Sequence, residues 1–236
     1  MSPREYRLYH YTSYETLKLI VAEDGGFWPR YCPEDFSWLT GTPFYLVVPL
    51  VSFCDIPVIL SKEHKEAYGN VAIGLSKDWG KERNITPLIY IYEDGLLAEH
   101  FKKSIGRCIT KNKIVKSDFG PLWDFIHYLK PVTGCFPDKK YRSTIIKDFD
   151  EEMEWRYVPG EFKELIYSTN FFEDTQRNDA EKRSKETLEA KLKFNQSDVE
   201  IIVVENDEQR NELSKEYEYL DGKISLWSEL NTIDAE

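Results

Sequence analysis

The chain has few of the residues that mark several protein classes. Its 236 residues include only four cysteines, which are far apart, with no CxxC pair and no Cys/His cluster of zinc-like spacing. Neither a disulfide framework nor a structural zinc site is therefore predicted, and we expect reduced thiols in a cytoplasmic protein. The four are Cys32, Cys54, Cys108 and Cys135.

Long apolar runs are also missing. The longest apolar stretch, residues 44–60, is interrupted by Pro49, Asp55 and Pro57. A membrane-spanning helix needs roughly 20 largely apolar residues in succession, so we expect no membrane association. The first residues carry charges without an apolar segment behind them, and no secretory signal is predicted.

Basic residues are in deficit. There are 31 Lys and Arg against 42 Asp and Glu, which gives a formal net charge of −11. Such a chain is unsuited to coating nucleic acid, which needs a basic face. One segment departs from this balance: residues 102–116, from Lys102 to Lys116, carry six basic residues and no acidic one. It is either a solvated helix face or a docking surface for nucleic acid or another macromolecule.

The remaining composition indicates one globular α+β domain over residues 1–236. Apolar residues make up 41% of the chain, and no repeat or Gly/Ser linker divides it. Strands are predicted at residues 6–11, 44–53 and 71–76, and a helix capped by Thr12 or Ser13 follows the first of them. Residues 27–42 are predicted to be a long aromatic loop with a short turn of helix, residues 134–142 a loop, and residues 173–194 a charged helical insertion.

Common catalytic motifs are absent. The sequence has no glycine-rich phosphate loop, no GxSxG and no HExxH. Two polar segments at strand ends remain of interest. His10 and the hydroxyls of residues 11–13 can hydrogen-bond a ligand's ribose or carbonyl, or they can simply cap a helix. Ser52 and Asp55 can line a cleft in which Phe53 stacks on a planar ring, or this can be an ordinary strand end.

A third polar segment contains Glu152, Glu154 and Arg156. In an extended chain these side chains share one face. Two carboxylates about 7 Å apart repel each other unless water, a cation or a ligand compensates them. A carboxylate held in this way can stabilise an oxocarbenium-like transition state, as glycosyl transfer requires. The alternative is a solvated edge strand with weak surface ion pairs.

Four strings, in one order, resemble the AbiGi family of bacterial abortive-infection proteins. The resemblance runs from about residue 7 to about residue 210, and it is carried by residues 9–13, 51–57, 68–80 and 154–159. It implies a role in antiphage defence as the antitoxin of a two-gene system. The implied partner is a nucleotidyltransferase-like toxin.

The layout is also similar, more remotely, to the ADP-ribosyltransferase fold. That resemblance implies a mostly antiparallel split sheet with flanking helices, NAD as substrate and no metal. Glu154 would hold the ribose during bond cleavage, His10 would contact the nicotinamide ribose and Glu152 would be an accessory carboxylate. The implied binding residues are Tyr11, Thr12, Ser52, Phe53, Tyr68 and Arg156.

The sequence departs from the ADP-ribosyltransferase pattern because it has no Ser-Thr-Ser triplet and no glycine in the His motif. Three functions are therefore open. In the first, the cleft cleaves NAD or transfers ADP-ribose. In the second, the protein is a non-catalytic antitoxin or sensor that binds its toxin or nucleic acid. In the third, the cleft binds a nucleotide signal while the charged residues 174–192 contact partners.

Overall fold

The chain is seen in a computed structural model, which describes residues 7–41, 44–110, 113–114, 120, 122–138, 143–160, 165–167 and 182–230. Backbone contacts group it into two compact units. The first unit comprises residues 1–28, 51–86 and 190–236, and the second comprises residues 29–50 and 87–189. One domain over the whole chain stays a prediction, because compact units defined by contacts can still fold as one.

Strands and helices are interspersed along the chain. The strands are β1 (Arg7–Thr12), β2 (Arg30–Asp35), β3 (Tyr45–Cys54), β4 (Val71–Ser76), β5 (Thr86–Pro87), β6 (Ile89–Ile91), β7 (Ile109–Thr110), β8 (Lys113–Ile114), β9 (Leu129–Pro131), β10 (Thr133–Asp138), β11 (Ser143–Asp148), β12 (Glu154–Tyr157), β13 (Leu165–Tyr167), β14 (Val199–Val204) and β15 (Ile224–Leu226). The helices are α1 (Tyr14–Val21), α2 (Ser37–Thr40), α3 (Lys62–Tyr68), α4 (Lys77–Glu82), α5 (Leu96–Cys108), α6 (Leu122–Ile126), α7 (Asp207–Glu216) and α8 (Trp227–Leu230). Short 3₁₀ turns lie at Val58–Leu60, Asp150–Glu152, Lys185–Ala190, Gln196–Asp198 and Glu218–Leu220.

The predicted α+β class is confirmed, with mostly antiparallel strand pairing. In the first unit the strand order is β15, β14, β4, β1, and β1 also pairs with the end of β3. β4 is antiparallel to both β1 and β14, whereas β15 runs parallel to β14. β4 has a strand partner on each side, and its Val71, Ile73 and Leu75 are fully buried.

Helix α1 follows from local sequence signals. The Ser13 hydroxyl accepts a hydrogen bond from the Thr16 backbone N–H at 3.2 Å, which satisfies one of the unpaired donors of the first turn. Leu17, Ile20 and Val21 recur at helical spacing, and all three are buried. The predicted cap and apolar face are both confirmed.

The second unit has its own core. The first half of β3 pairs antiparallel with β2 and with β13. Apolar side chains from β3, α2, α5 and α6 form one cluster, in which Leu46, Leu39, Ile105 and Trp123 are almost fully buried. Strands β6 and β9 pair in parallel, and β10 and β11 form an antiparallel hairpin. No helix in the described part of the chain is long and apolar enough to cross a membrane.

Two predicted loops contain strands, so the prediction of loop is wrong in both, whereas the short turn of helix predicted within residues 27–42 is confirmed by α2. Residues 27–42 include β2 and α2, and residues 134–138 lie in β10, while 139–142 are outside the described residues. Proline in each segment suggested a loop. However, β2 pairs with β3 alone among the described strands, and β10 pairs in the same way with β11 alone. Such edge strands tolerate proline.

The predicted helical insertion at residues 173–194 lies partly outside the described residues. From residue 182 onward the structure contains a 3₁₀ turn, Lys185–Ala190, and a bridge in which Leu192 pairs with Phe27.

Gly69 lies at a close approach within the first unit. It follows α3 with φ of 145°, and an added Cβ would lie 2.2 Å from the Thr12 carbonyl oxygen. Only glycine fits this conformation and this distance without a backbone shift.

We expect Gly69→Ala to lower the free energy of unfolding by about 3 kcal/mol or more, since it combines backbone strain with a clash against backbone atoms. Gly222→Ala is the matched control. It also has positive φ, at 71°, but nothing lies within 4 Å of the added Cβ, so a cost of about 1–2 kcal/mol is expected. Urea unfolding of both variants measures the difference, and equal costs would contradict the close approach.

Candidate functional site

The predicted site residues fall into groups in the two units, and each group is described within its own unit. His10, Tyr11, Thr12, Ser52, Phe53 and Tyr68 lie in the first unit, and Glu152, Glu154 and Arg156 in the second. Among the described residues, no group of His, Cys, Asp and Glu side chains is arranged to hold a metal ion.

His10 on β1 is held in one tautomer. Its Nδ1 lies 2.8 Å from the Ser52 carbonyl oxygen, and because a carbonyl can only accept, Nδ1 carries the hydrogen. Burial lowers the pKa of His10 below its ordinary value, so the ring is neutral at physiological pH. Nε2 is then an acceptor, and no other described residue hydrogen-bonds it.

Aromatic rings surround His10. The ring centroid of Phe27 lies 5.1 Å from that of His10, and the ring centroid of Phe53 lies 5.7 Å from it. Both phenylalanines also contact Trp79, and Phe27 contacts Phe194. The structure therefore brings His10, Ser52 and Phe53 together, as predicted, with Ser52 contributing its backbone carbonyl. The arrangement offers a hydrogen-bond acceptor beside apolar ring faces.

The other predicted residues of the first unit form a different group. The ring of Tyr11 contacts those of His64 and Trp227, and the ring of Tyr68 also contacts that of His64. Thr12 is buried beneath Gly69. Asp55, which the sequence suggested as a cleft residue, forms an ion pair with Lys77 at 2.6 Å.

In the second unit the segment from Glu152 to Arg156 is not one strand. Glu152 belongs to a 3₁₀ turn, and Met153 has a left-handed backbone with φ of 43°. That conformation breaks the extended chain, so the predicted shared strand face of Glu152 and Glu154 is wrong. Glu154 and Arg156 do share a face of β12, and both are buried. The alternative of a solvated edge strand is therefore also wrong.

Glu154 is bound by two cations of the chain itself. Its Oε1 accepts from Arg156 Nε at 2.7 Å, and its Oε2 accepts from Lys130 Nζ at 2.8 Å. Burial alone would raise the pKa of the Glu154 carboxyl, but Arg156 and Lys130 outweigh burial and hold that pKa well below its ordinary range. The carboxylate stays ionised at neutral pH, so it has no proton to donate as a general acid.

The same cations extend this contact into a network, here called the ion cluster. Lys130 also donates to Glu152 Oε2 at 2.8 Å, and Lys147 donates to Glu152 Oε1 at 2.8 Å. Arg156 reaches Glu34 Oε1 at 2.8 Å and the His127 carbonyl oxygen at 3.1 Å. The ion cluster thus contains three carboxylates (Glu34, Glu152, Glu154) and three cations (Lys130, Lys147, Arg156).

Sequence reasoning found Glu152, Glu154 and Arg156 but missed Glu34 and the compensating cations Lys130 and Lys147. Lys130 lies between Leu129 and Pro131 in a short apolar strand. A lone charge inside an apolar strand is a signal of a buried pairing, because an unpaired buried ammonium is too costly. That signal was available in the sequence, although the identity of the partner was not.

The basic segment at residues 102–116 lies largely outside what the structure describes. At its start Lys102 Nζ donates to the Glu93 carbonyl oxygen, and Lys103 pairs with Glu99 at 3.8 Å. Side chains from residue 106 to residue 119 are outside the described residues. Binding of nucleic acid or a macromolecular acceptor there stays a prediction.

Comparisons with known proteins agree on one family. Residues 26–205 match a family model described as "Putative abortive phage resistance protein AbiGi, antitoxin". The chain is also similar to "Abortive phage resistance protein AbiGi" of Lactococcus lactis subsp. cremoris, at 29% identity over 213 residues that cover 79% of this chain and 85% of the relative. No solved structure matches. The predicted resemblance to this family is confirmed, whereas that to ADP-ribosyltransferases stays a prediction.

The ion cluster generates a stability prediction. Glu154→Gln leaves the positive charges of Lys130 and Arg156 undercompensated in a buried site, and we expect a loss of about 3–5 kcal/mol in the free energy of unfolding at pH 7. Glu151→Gln, at an exposed neighbouring carboxylate, should change it by less than about 0.5 kcal/mol.

The loss should also depend on pH with a definite sign. Because folding depresses the pKa of Glu154 from its ordinary 4.5, its stabilisation is complete above that value and is lost as the pH falls below it. The difference between wild type and Glu154→Gln in urea unfolding should therefore be larger at pH 7 than at pH 3.5. A difference that does not change with pH would contradict the ionised, paired state.

Proposed function

Because the chain belongs to the AbiGi family of abortive phage resistance proteins, we propose that it acts as the antitoxin of a two-gene system, restraining a cognate toxin by binding it without catalysis. The observation that supports this proposal is the ion cluster. Both oxygens of Glu154, the carboxylate best suited to glycosyl-transfer chemistry, accept hydrogen bonds from cations of the chain itself.

The chemical reason is that a carboxylate serves a ribose or an oxocarbenium centre through its negative charge and an available oxygen. In the ion cluster, Arg156 and Lys130 already offset that charge. Releasing Glu154 would leave buried cations undercompensated, at a cost of about 3–5 kcal/mol. A structural role that holds β12 to β9 and β2 of the same unit therefore fits the geometry better than turnover.

A second candidate function is binding of NAD or a related nucleotide in the first unit. It is favoured by His10, whose neutral ring offers Nε2 as an acceptor beside Phe27 and Phe53. Nicotinamide is a planar heteroaromatic amide. Its amide N–H can donate to Nε2, and its ring can pack against the two phenylalanine rings. An ADP-ribosyltransferase-like fold belongs to this candidate. NAD cleavage and ADP-ribose transfer, for which the sequence suggested Glu154 and Glu152, are not part of it, because Arg156 and Lys130 already offset the charge of Glu154.

Coexpression tests the antitoxin proposal. Cells producing the nucleotidyltransferase-like toxin alone should stop growing, and the wild-type chain should restore their growth. Glu154→Gln should restore growth in proportion to its soluble amount, because its defect is one of stability. If no soluble amount of the wild-type chain relieves toxicity, the proposal is wrong. If folded Glu154→Gln at a matched level gives no relief, a catalytic role replaces it.

Incubation with NAD tests the second candidate. We expect no nicotinamide release above the rate without protein, from either wild type or Glu154→Gln. If NAD binds at His10, calorimetry should show about tenfold weaker binding for His10→Asn, which retains a donor for the Ser52 carbonyl but loses the Nε2 acceptor. His100→Asn, at an exposed position, is the control. Nicotinamide release by wild type alone would overturn the non-catalytic proposal.

A further inference from the structure

A groove of about 780 Å³ lies within the first unit, away from His10. It is lined by the end of α1 and by Gly25 and Gly26, where the Gly26 N–H donates a hydrogen bond back to the Ile20 carbonyl oxygen. Lys193 and Phe194 also line it, as do residues 216–219 at and just after the end of α7. Every lining residue is among those that the structure describes.

Two tyrosines, Tyr217 and Tyr219, line this groove. Tyr217 and Tyr219 lie with ring centroids 6.3 Å apart at 65°, and both are half-buried. Their hydroxyls already have partners: Tyr219 Oη donates to the Val21 carbonyl oxygen and Tyr217 Oη to Glu216 Oε1, each at 2.9 Å. Burial raises the pKa of Tyr219 to about 12, so its hydroxyl stays neutral. What the pair offers a partner is therefore the π-face rather than a hydrogen-bond donor.

The charge on the groove is negative. Glu23, Glu216 and Glu218 line it together with a single ammonium, that of Lys193, whose Nζ donates to the Asp24 carbonyl oxygen. Glu23 and Glu218 are exposed and form no ion pair with any described residue. The surrounding sequence adds to this, because residues 190–236 hold 12 acidic residues against 5 basic ones, or −7 of the chain's −11.

Carboxylates beside half-exposed tyrosine rings form a surface that recognises organic cations. The guanidinium of arginine suits it best, because it is planar, stacks on an aromatic face and can pair with a carboxylate at the same time. A nucleotide phosphate or a nucleic acid would meet the three carboxylates and be repelled. The groove also has room for several side chains of a partner segment.

We propose that this groove binds an arginine-rich segment of the cognate toxin, with guanidinium groups against Tyr217 and Tyr219 and paired with Glu23 and Glu218. This assignment deepens the antitoxin function proposed above and rests on it. It assigns guanidinium groups as the partner of the acidic residues 190–236, to which Glu218 belongs, in place of a non-specific electrostatic attraction of cations.

The test compares two double variants of the full chain that change the net charge equally. Glu23→Lys/Glu218→Lys reverses the charge of the groove, and Glu66→Lys/Glu82→Lys reverses two exposed helix carboxylates elsewhere in the first unit that have no described ion pair. The first probe is fluorescein-labelled hexa-arginine, followed by anisotropy, with hexa-lysine alongside. The second probe is the toxin, in the coexpression assay.

Wild type should bind hexa-arginine more tightly than hexa-lysine. The groove variant should lose about tenfold in affinity for hexa-arginine, whereas the control variant should stay within about twofold of wild type. Tyr217→Leu should narrow the preference for arginine over lysine. Equal losses in the two double variants would show attraction by bulk charge and would overturn the groove assignment.

The toxin assay separates the two proposals. If wild type and the control variant neutralise the toxin but the groove variant does not, both proposals stand. If the groove variant neutralises it as well as wild type does, the groove assignment is overturned and the antitoxin function stands. If hexa-arginine binds in the groove but wild type does not neutralise the toxin, both the antitoxin function and the binding of a toxin segment in the groove are overturned. The groove is then shown only to bind cations.

Discussion

Placing the Glu154 carboxylate out of water is the constraint on which the second unit depends. A buried carboxylate is tolerated when cations and hydrogen bonds compensate it. Here Arg156 of the same strand and Lys130 of β9 provide that compensation, and they in turn require Glu34 and Glu152. The ion pairs thereby fix the positions of β2, β9 and β12 relative to one another. Apolar packing alone would fix these positions less strictly, because it is not directional.

Such a network also bears on what the protein can do. A catalytic carboxylate is useful when its charge is left for the substrate, whereas Glu154 already shares its charge with Arg156 and Lys130. The uncompensated carboxylates lie elsewhere, at exposed positions such as Glu23 and Glu218 in the first unit.

The parts of the fold that the sequence predicted are those with local causes. The cap at Ser13, the apolar face of α1 and the buried strands β3 and β4 each follow from a few neighbouring residues. β2 was missed because its partner β3 lies beyond an intervening helix and Pro33 suggested a loop. In the site, Glu154 and Arg156 were found from their i, i+2 spacing. The partners of Lys130 could not be predicted, because they lie 22 and 24 positions away, a distance that no local pattern encodes.

Strand β4 is completed on one side by β14, in a register that places Val203 opposite Ala72. The partner is therefore synthesised only after more than a hundred further residues, a delay on the order of ten seconds at ribosomal elongation rates. During that interval one edge of an apolar strand is open, and it closes only when the acidic C-terminal part of the chain emerges. Closure of this edge is thus delayed until β14 has been synthesised, so a chain terminated before β14 would keep the pairing of β4 with β1 but would lack β14, β15 and most of the acidic residues of 190–236.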